Sequence, residues 1–126
     1  MADLKTLARR AVACAGWRWM EGMLGVDAAG AHFRLALTAK TAASDPERYA
    51  RVLARRNTYV PDLSDPATLG CLLALVREKW AIPTLAPVCK GGVWMFWAGG
   101  LPDALYQLRV ATEAELLVAA LEVQNG

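Results

Sequence analysis

A single histidine, His32, supplies all the imidazole in this chain of 126 residues. Triad chemistry needs a base beside a nucleophile and an orienting acid. His32 falls on the polar side of an alternating stretch with no Ser or Cys at a suggestive position, so it reads as an exposed strand histidine. Cysteine is scarce as well. Cys14, Cys71 and Cys89 are widely separated and odd in number, which excludes a disulfide framework and suits reduced thiols. Cys89 stands beside Lys90 and a Gly-Gly turn, a setting that favours a reactive thiol, but a plain half-buried thiol accounts for it more simply. There is no CxxC, no HxxxH and no carboxylate cluster at ligand spacing, so neither a metal nor a cofactor is expected. The carboxylate pairs Asp62/Asp65 and Glu113/Glu115 are explained by helix starts. An enzyme is therefore not expected.

Long apolar runs are missing too. The longest, around Cys71 to Val76, is far too short to cross a bilayer. No basic segment followed by a long apolar one opens the sequence, so a cytoplasmic location is expected. Charge of one sign is not in excess: 14 Lys and Arg against 12 Asp and Glu leave +2. That near balance disfavours non-specific duplex binding.

What the chain has is apolar bulk and a few concentrated arginines. Its length suits one domain, 1–126, and a hydrophobic fraction of 56% builds a core without metals or disulfides. The apolar surface exceeds what one sheet face covers, which predicts a homo-oligomer.

The elements follow from spacing. Asp3 caps a first helix with Leu4, Leu7, Ala8, Ala11, Val12 and Ala15 inward and Gly16 beyond its end. Trp17 to Met20 alternates as a short strand. Met23–Val26, a turn at Asp27–Gly30 and His32–Ala39 form a hairpin with one wet face. Asp45-Pro46 opens a basic helix over 46–56. Asp65 or Ser64 caps a long helix ending at Trp80, with Pro66 in its first turn and a stripe of Leu69, Leu72, Leu73, Val76 and Trp80. Gly91-Gly92 marks a tight hairpin between Val88-Cys89 and Val93–Ala98, and the contiguous Trp94-Met95-Phe96-Trp97 suits a strand buried on both faces. Ala104–Val110 alternates as a further strand. Thr112 and Glu115 form a capping box for a closing helix with Leu116, Leu117, Ala120 and Leu121 inward. The sum is an α+β domain, an antiparallel sheet with helices packed on one face.

The binding features lie in arginines near aromatics. Trp17 and Trp19 flank Arg18. Arg48 and Arg51, followed by Arg55 and Arg56, crowd the 46–56 segment. With Arg34, Tyr59 and Arg109 they are candidates for a planar anionic ligand, because guanidinium forks grip phosphate and aromatic faces stack on bases. Structural readings stand beside these. The tryptophans close the core while Arg18 snorkels, and the basic helix is a solvated face.

Three segments taken together, WRWMEGM at 17–23, PDLSDPATLGCLLALVRE at 61–78 and TEAELLVAAL at 112–121, resemble a widespread group of small phage and prophage proteins. That group usually has Pro where this chain has Glu21, and residues 27–59 fall outside its pattern. The resemblance implies a phage or prophage origin and a place inside the host cell. It carries over no catalytic residue. Small accessory phage proteins often counter host defence. The expected function is therefore a non-enzymatic counter-defence protein that sequesters an anionic nucleotide-type signal at a subunit boundary, with Trp17, Arg18, Trp19, Arg34, Arg48, Arg51, Tyr59 and Arg109 as ligand contacts. The alternative is a protein-interaction inhibitor of a host defence complex, such as a CRISPR effector, docking through the basic 46–56 helix.

Overall fold

The computed structural model describes residues 3–35, 45–47 and 59–123. Among these lie helices α1 (Leu4–Val12), α2 (Pro66–Trp80), α3 (Asp103–Tyr106) and α4 (Glu113–Glu122), and strands β1 (Leu24–Val26), β2 (His32–Arg34), β3 (Val60–Pro61), β4 (Ala86–Lys90) and β5 (Val93–Trp97). The class is α+β. The antiparallel strands fall into two small sheets, one of order β2-β1-β3 and one the β4–β5 hairpin. The helices pack against each other as well as against strands. Among the described residues, no helix is long and apolar enough to cross a membrane.

The starts of α1, α2 and α4 are the ones the sequence marks. Asp3 accepts the Thr6 N–H at 3.2 Å, and Asp65 accepts that of Thr68 at 3.0 Å. At α4 the Thr112 hydroxyl accepts the Glu115 N–H and donates to the Glu115 carboxylate. In α2 the buried positions are Thr68, Leu72, Leu75 and Val76, while Leu69, Leu73 and Trp80 are half-buried against the core. The helix ends with Ala81 in the left-handed region, φ 55°, and the Ile82 N–H closes back on the Arg77 carbonyl, a Schellman-type ending before Pro83.

The core gathers around α4. Ala114, Leu116, Leu117, Val118, Ala120 and Leu121 are all buried, so this helix is covered on nearly every side. It packs on α1, on α2 and on both strands of the hairpin. Ala8 and Ala11 of α1 are small and buried, which lets backbones approach closely. Each fully buried Leu or Val contributes about 1.5–3 kcal/mol.

Four expectations are corrected. The first helix stops at Val12, short of Ala15. Trp17 to Met20 is not a strand: its backbone bonds stay local, with the Trp17 N–H on the Cys14 carbonyl and the Met23 N–H on the Met20 carbonyl. Its alternation comes from two tryptophans packing on the core with Arg18 outward between them. Ala104–Val110 is mostly not a strand either. Leu105 and Leu108 share a helical spacing, the Tyr106 N–H bonds to Pro102, and only Val110 bridges to Trp94. Finally, β5 is not buried on both faces, since Phe96 is buried but Trp97 is 72% exposed. Of the 46–56 helix, Pro46 and Glu47 have helical backbone, and the rest lies outside the described residues, as do positions 36–39 of the His32 strand.

Two contacts fix the first sheet. Gly25 pairs with Phe33, whose ring lies over it and meets the Tyr59 ring at a tilt of 46°, centroids 4.1 Å apart. A Cβ on Gly25 would fall 2.2 Å from that ring. Gly25→Ala is therefore expected to cost about 1–3 kcal/mol, read as a lower urea midpoint and partly restored by Phe33→Leu. Thr68 is fully buried, and its hydroxyl accepts the Leu24 N–H at 2.9 Å. Thr68→Val keeps the shape but strips that N–H of its acceptor, so a loss of about 1–3 kcal/mol is expected in the same measurement.

Candidate functional site

The described polar side chains concentrate at the N-terminal end of α2 and the adjoining face of the first sheet. The Asp65 carboxylate accepts from Thr68 and also from both Arg34 guanidinium nitrogens, at 2.7 and 3.1 Å. Arg34 donates further to the Gly22 carbonyl at 2.9 Å. The Arg34 fork, with the Thr68 donors, holds the Asp65 carboxyl down at about 2 against its own partial burial. Asp65 in turn raises the Arg34 pKa.

Next to this pair, Asp62 sits between two partners. One oxygen accepts the Ser64 N–H and hydroxyl, and the other lies 3.3 Å from His32 Nε2. Burial pushes the Asp62 carboxyl up, but the Ser64 donors and nearby His32 bring it below its ordinary value. The order of groups decides the chemistry. Ser64 donates to the carboxylate and not to the imidazole, so this contact is not the hydroxyl–imidazole bond of a catalytic triad. His32, Asp62 and Ser64 line a shallow pocket of about 320 Å³ together with Lys5 and the apolar Leu4, Val26 and Val60. Among the described residues, no group of three or more His, Cys, Asp or Glu is placed to hold a metal ion.

The remaining candidates stand apart. Arg18 pairs with Glu78 at 2.8 Å, near the C-terminal end of α2, which raises the Arg18 pKa and lowers that of Glu78. Trp17 and Trp19 meet edge to face, centroids 5.3 Å apart, half-buried on the core. Tyr59 meets Phe33 with the two rings tilted. Arg109 lies over the Tyr106 ring at 5.2 Å and donates to the carbonyls of Tyr106 and Leu108. Arg48 and Arg51 fall outside the described residues. Trp17 is thus brought to Trp19, and Tyr59 to the strand that carries Arg34. Arg18 and Arg34 are not brought together: their partners Glu78 and Asp65 are thirteen positions apart on one helix, about 20 Å.

A cleft of about 790 Å³ opens between the ends of α1, α2 and α4 and contains Arg10 and Lys79. Both are engaged by protein. Arg10 forks onto Glu122, and the Lys79 ammonium donates to the Leu121 and Val123 carbonyls, the last turn of α4. Cys14 and Cys71 are free thiols whose pKa burial raises, while Cys89 is free and exposed.

Sequence reasoning missed the acidic partners. Asp65 reads as a cap, which it is, but the same carboxylate also holds Arg34. Asp62 reads with Asp65 as part of a helix start, whereas it accepts from Ser64 and faces His32, and Glu78 carries no signal because Arg18 comes from a distant segment. An acid titration of stability is expected to show the Asp65 contribution. Its pKa is lower in the fold than the ordinary 3.8, so its stabilisation is complete above that value and is lost as pH falls toward about 2. Asp65→Asn keeps a capping side chain and is expected to flatten the urea midpoint over that window.

Comparison with protein-family models, with curated proteins and with solved structures finds no match to this chain.

Proposed function

We propose that this protein is a non-catalytic binding protein of phage type that acts by occupying a host defence protein. Of the two kinds of ligand expected from sequence, the geometry favours a protein surface over a nucleotide. The observation that carries this reading is the dispersal of the described candidate arginines. Arg18 and Arg34 are tied to carboxylates about 20 Å apart along α2, and Arg109 is tied to carbonyls by α3. Gripping a phosphate needs several donors converging on one small group. A protein interface instead reads 20 to 30 residues a side, roughly, and spaced charges suit that scale. The arginines of the 46–56 segment add positive charge to the same molecule, and such charge steers association with an acidic surface.

The test is a pair of measurements on the full chain. Calorimetric titration with cyclic mononucleotides, cyclic dinucleotides and cyclic ADP-ribose-type compounds is expected to give no binding heat. Capture from host lysate is expected to yield one stoichiometric protein, weakened at least about tenfold by joint Arg48→Glu, Arg51→Glu and Arg55→Glu substitution. Saturable heat from a nucleotide, abolished by Arg18→Ala or Arg34→Ala, would reverse the choice in favour of sequestration. Turnover of any substrate lost in His32→Ala or Cys89→Ala would remove both.

A further inference from the structure

The outward side of the β4–β5 hairpin is apolar where a solvated sheet face is ordinarily polar. Phe96 is buried on the core side. By alternation Val93, Met95 and Trp97 therefore take the opposite side. The register sets Lys90 opposite Val93, Val88 opposite Met95 and Ala86 opposite Trp97, so these six residues make up one face. Trp97 is 72% and Val93 36% exposed. A depression of about 320 Å³ runs along Val88, Met95 and Trp97 beside Lys90. Lys90 is the one charge among the six, and it stands at the turn end, while Trp97 stands at the open end.

We propose that this face is a self-association surface, covered by a second copy of the chain docked face to face about a two-fold axis that lies in the interface and crosses the strands at the level of the Val88–Met95 pair. The argument is its complementarity to itself. With the axis perpendicular to the strands, the turn end of one hairpin lies over the open end of the other. Each Lys90 ammonium then reaches the exposed Trp97 ring of the partner subunit, a cation–π pair made twice. The valines and methionines between them interdigitate as two sheets do at their ordinary spacing of about 10 Å. The two lysines end up at opposite extremes of the contact, so no like charges meet. A net charge of +2 per chain opposes the pairing little. Two five-residue strands offer on the order of 350 Å² per copy. That is under the roughly 800 Å² per partner of a standard interface, so the association depends on concentration.

Sedimentation equilibrium of the full chain from micromolar to millimolar concentration tests this. The expected mass rises from 13.6 kDa toward twice that value, with the tryptophan emission moving to shorter wavelength in parallel. Trp97→Ser and Met95→Lys are expected to weaken the dimer at least about tenfold. Lys90→Glu changes an exposed residue at the turn and leaves the core untouched, so it serves where the others disturb folding, and it is expected to weaken the dimer several-fold. A wild-type chain that stays monomeric at millimolar concentration overturns the proposal. So does a dimer indifferent to Lys90→Glu and Trp97→Ser.

Discussion

Burial of α4 on almost every side is the constraint that the other elements satisfy. A ten-residue helix with six buried side chains leaves little of itself for water. It needs a helix on each flank and strands beyond them. α1 meets it with alanines and Leu7, α2 meets it with its Leu72–Val76 side, and the hairpin closes over it. Its unsatisfied final carbonyls are met from α2. The Trp80 indole donates to the Ala120 carbonyl at 3.0 Å, and Lys79 caps those that follow. Arg10 of α1 holds Glu122 on the other side. Three elements far apart in sequence thereby converge on one helix end.

A second network ties the first sheet to α2. The Leu24 N–H donates to the Thr68 hydroxyl, that hydroxyl donates to Asp65, and Asp65 holds Arg34. Backbone of β1, side chain of α2 and side chain of β2 are thus joined through one carboxylate. Linked hydrogen bonds of this kind hold orientation more firmly than separate ones. Arg34 is the guanidinium that this arrangement commits to the start of α2. A guanidinium that steadies a helix end must break that contact before it can take a phosphate, and the carboxylate left behind would repel the newcomer.

Much of the framework was legible from residues alone. Asp3, Asp65 and Thr112 announce helix starts because a short oxygen-bearing side chain has few other reasons to precede an apolar run. Gly91-Gly92 fixed the hairpin, since a two-residue turn there needs positive φ at both positions, and they have φ 60° and 78°. Alternation misled at Trp17–Met20 and at Ala104–Val110. Period two records which side chains meet the core, and an irregular segment lying on a core produces it as readily as a strand. Trp97 escaped for a related reason: a run of large apolar residues reads as buried throughout, whereas a two-stranded sheet with a core on one side buries every second one. The candidate site was the least legible part. Arginines can be counted in a sequence, but their acidic partners are chosen by tertiary contacts, and those arise only when β2, α2 and the segment after α1 are assembled.

The position of α4 in the chain shapes how the protein is made. Vectorial synthesis releases α1, the first sheet, α2 and the hairpin before the helix that they enclose. Until α4 emerges, Leu7, Leu72 and Val76 line a groove with no occupant, and the nascent chain has nothing to close around. Closure is therefore a late event that joins segments about a hundred residues apart, the long-range step that slows folding.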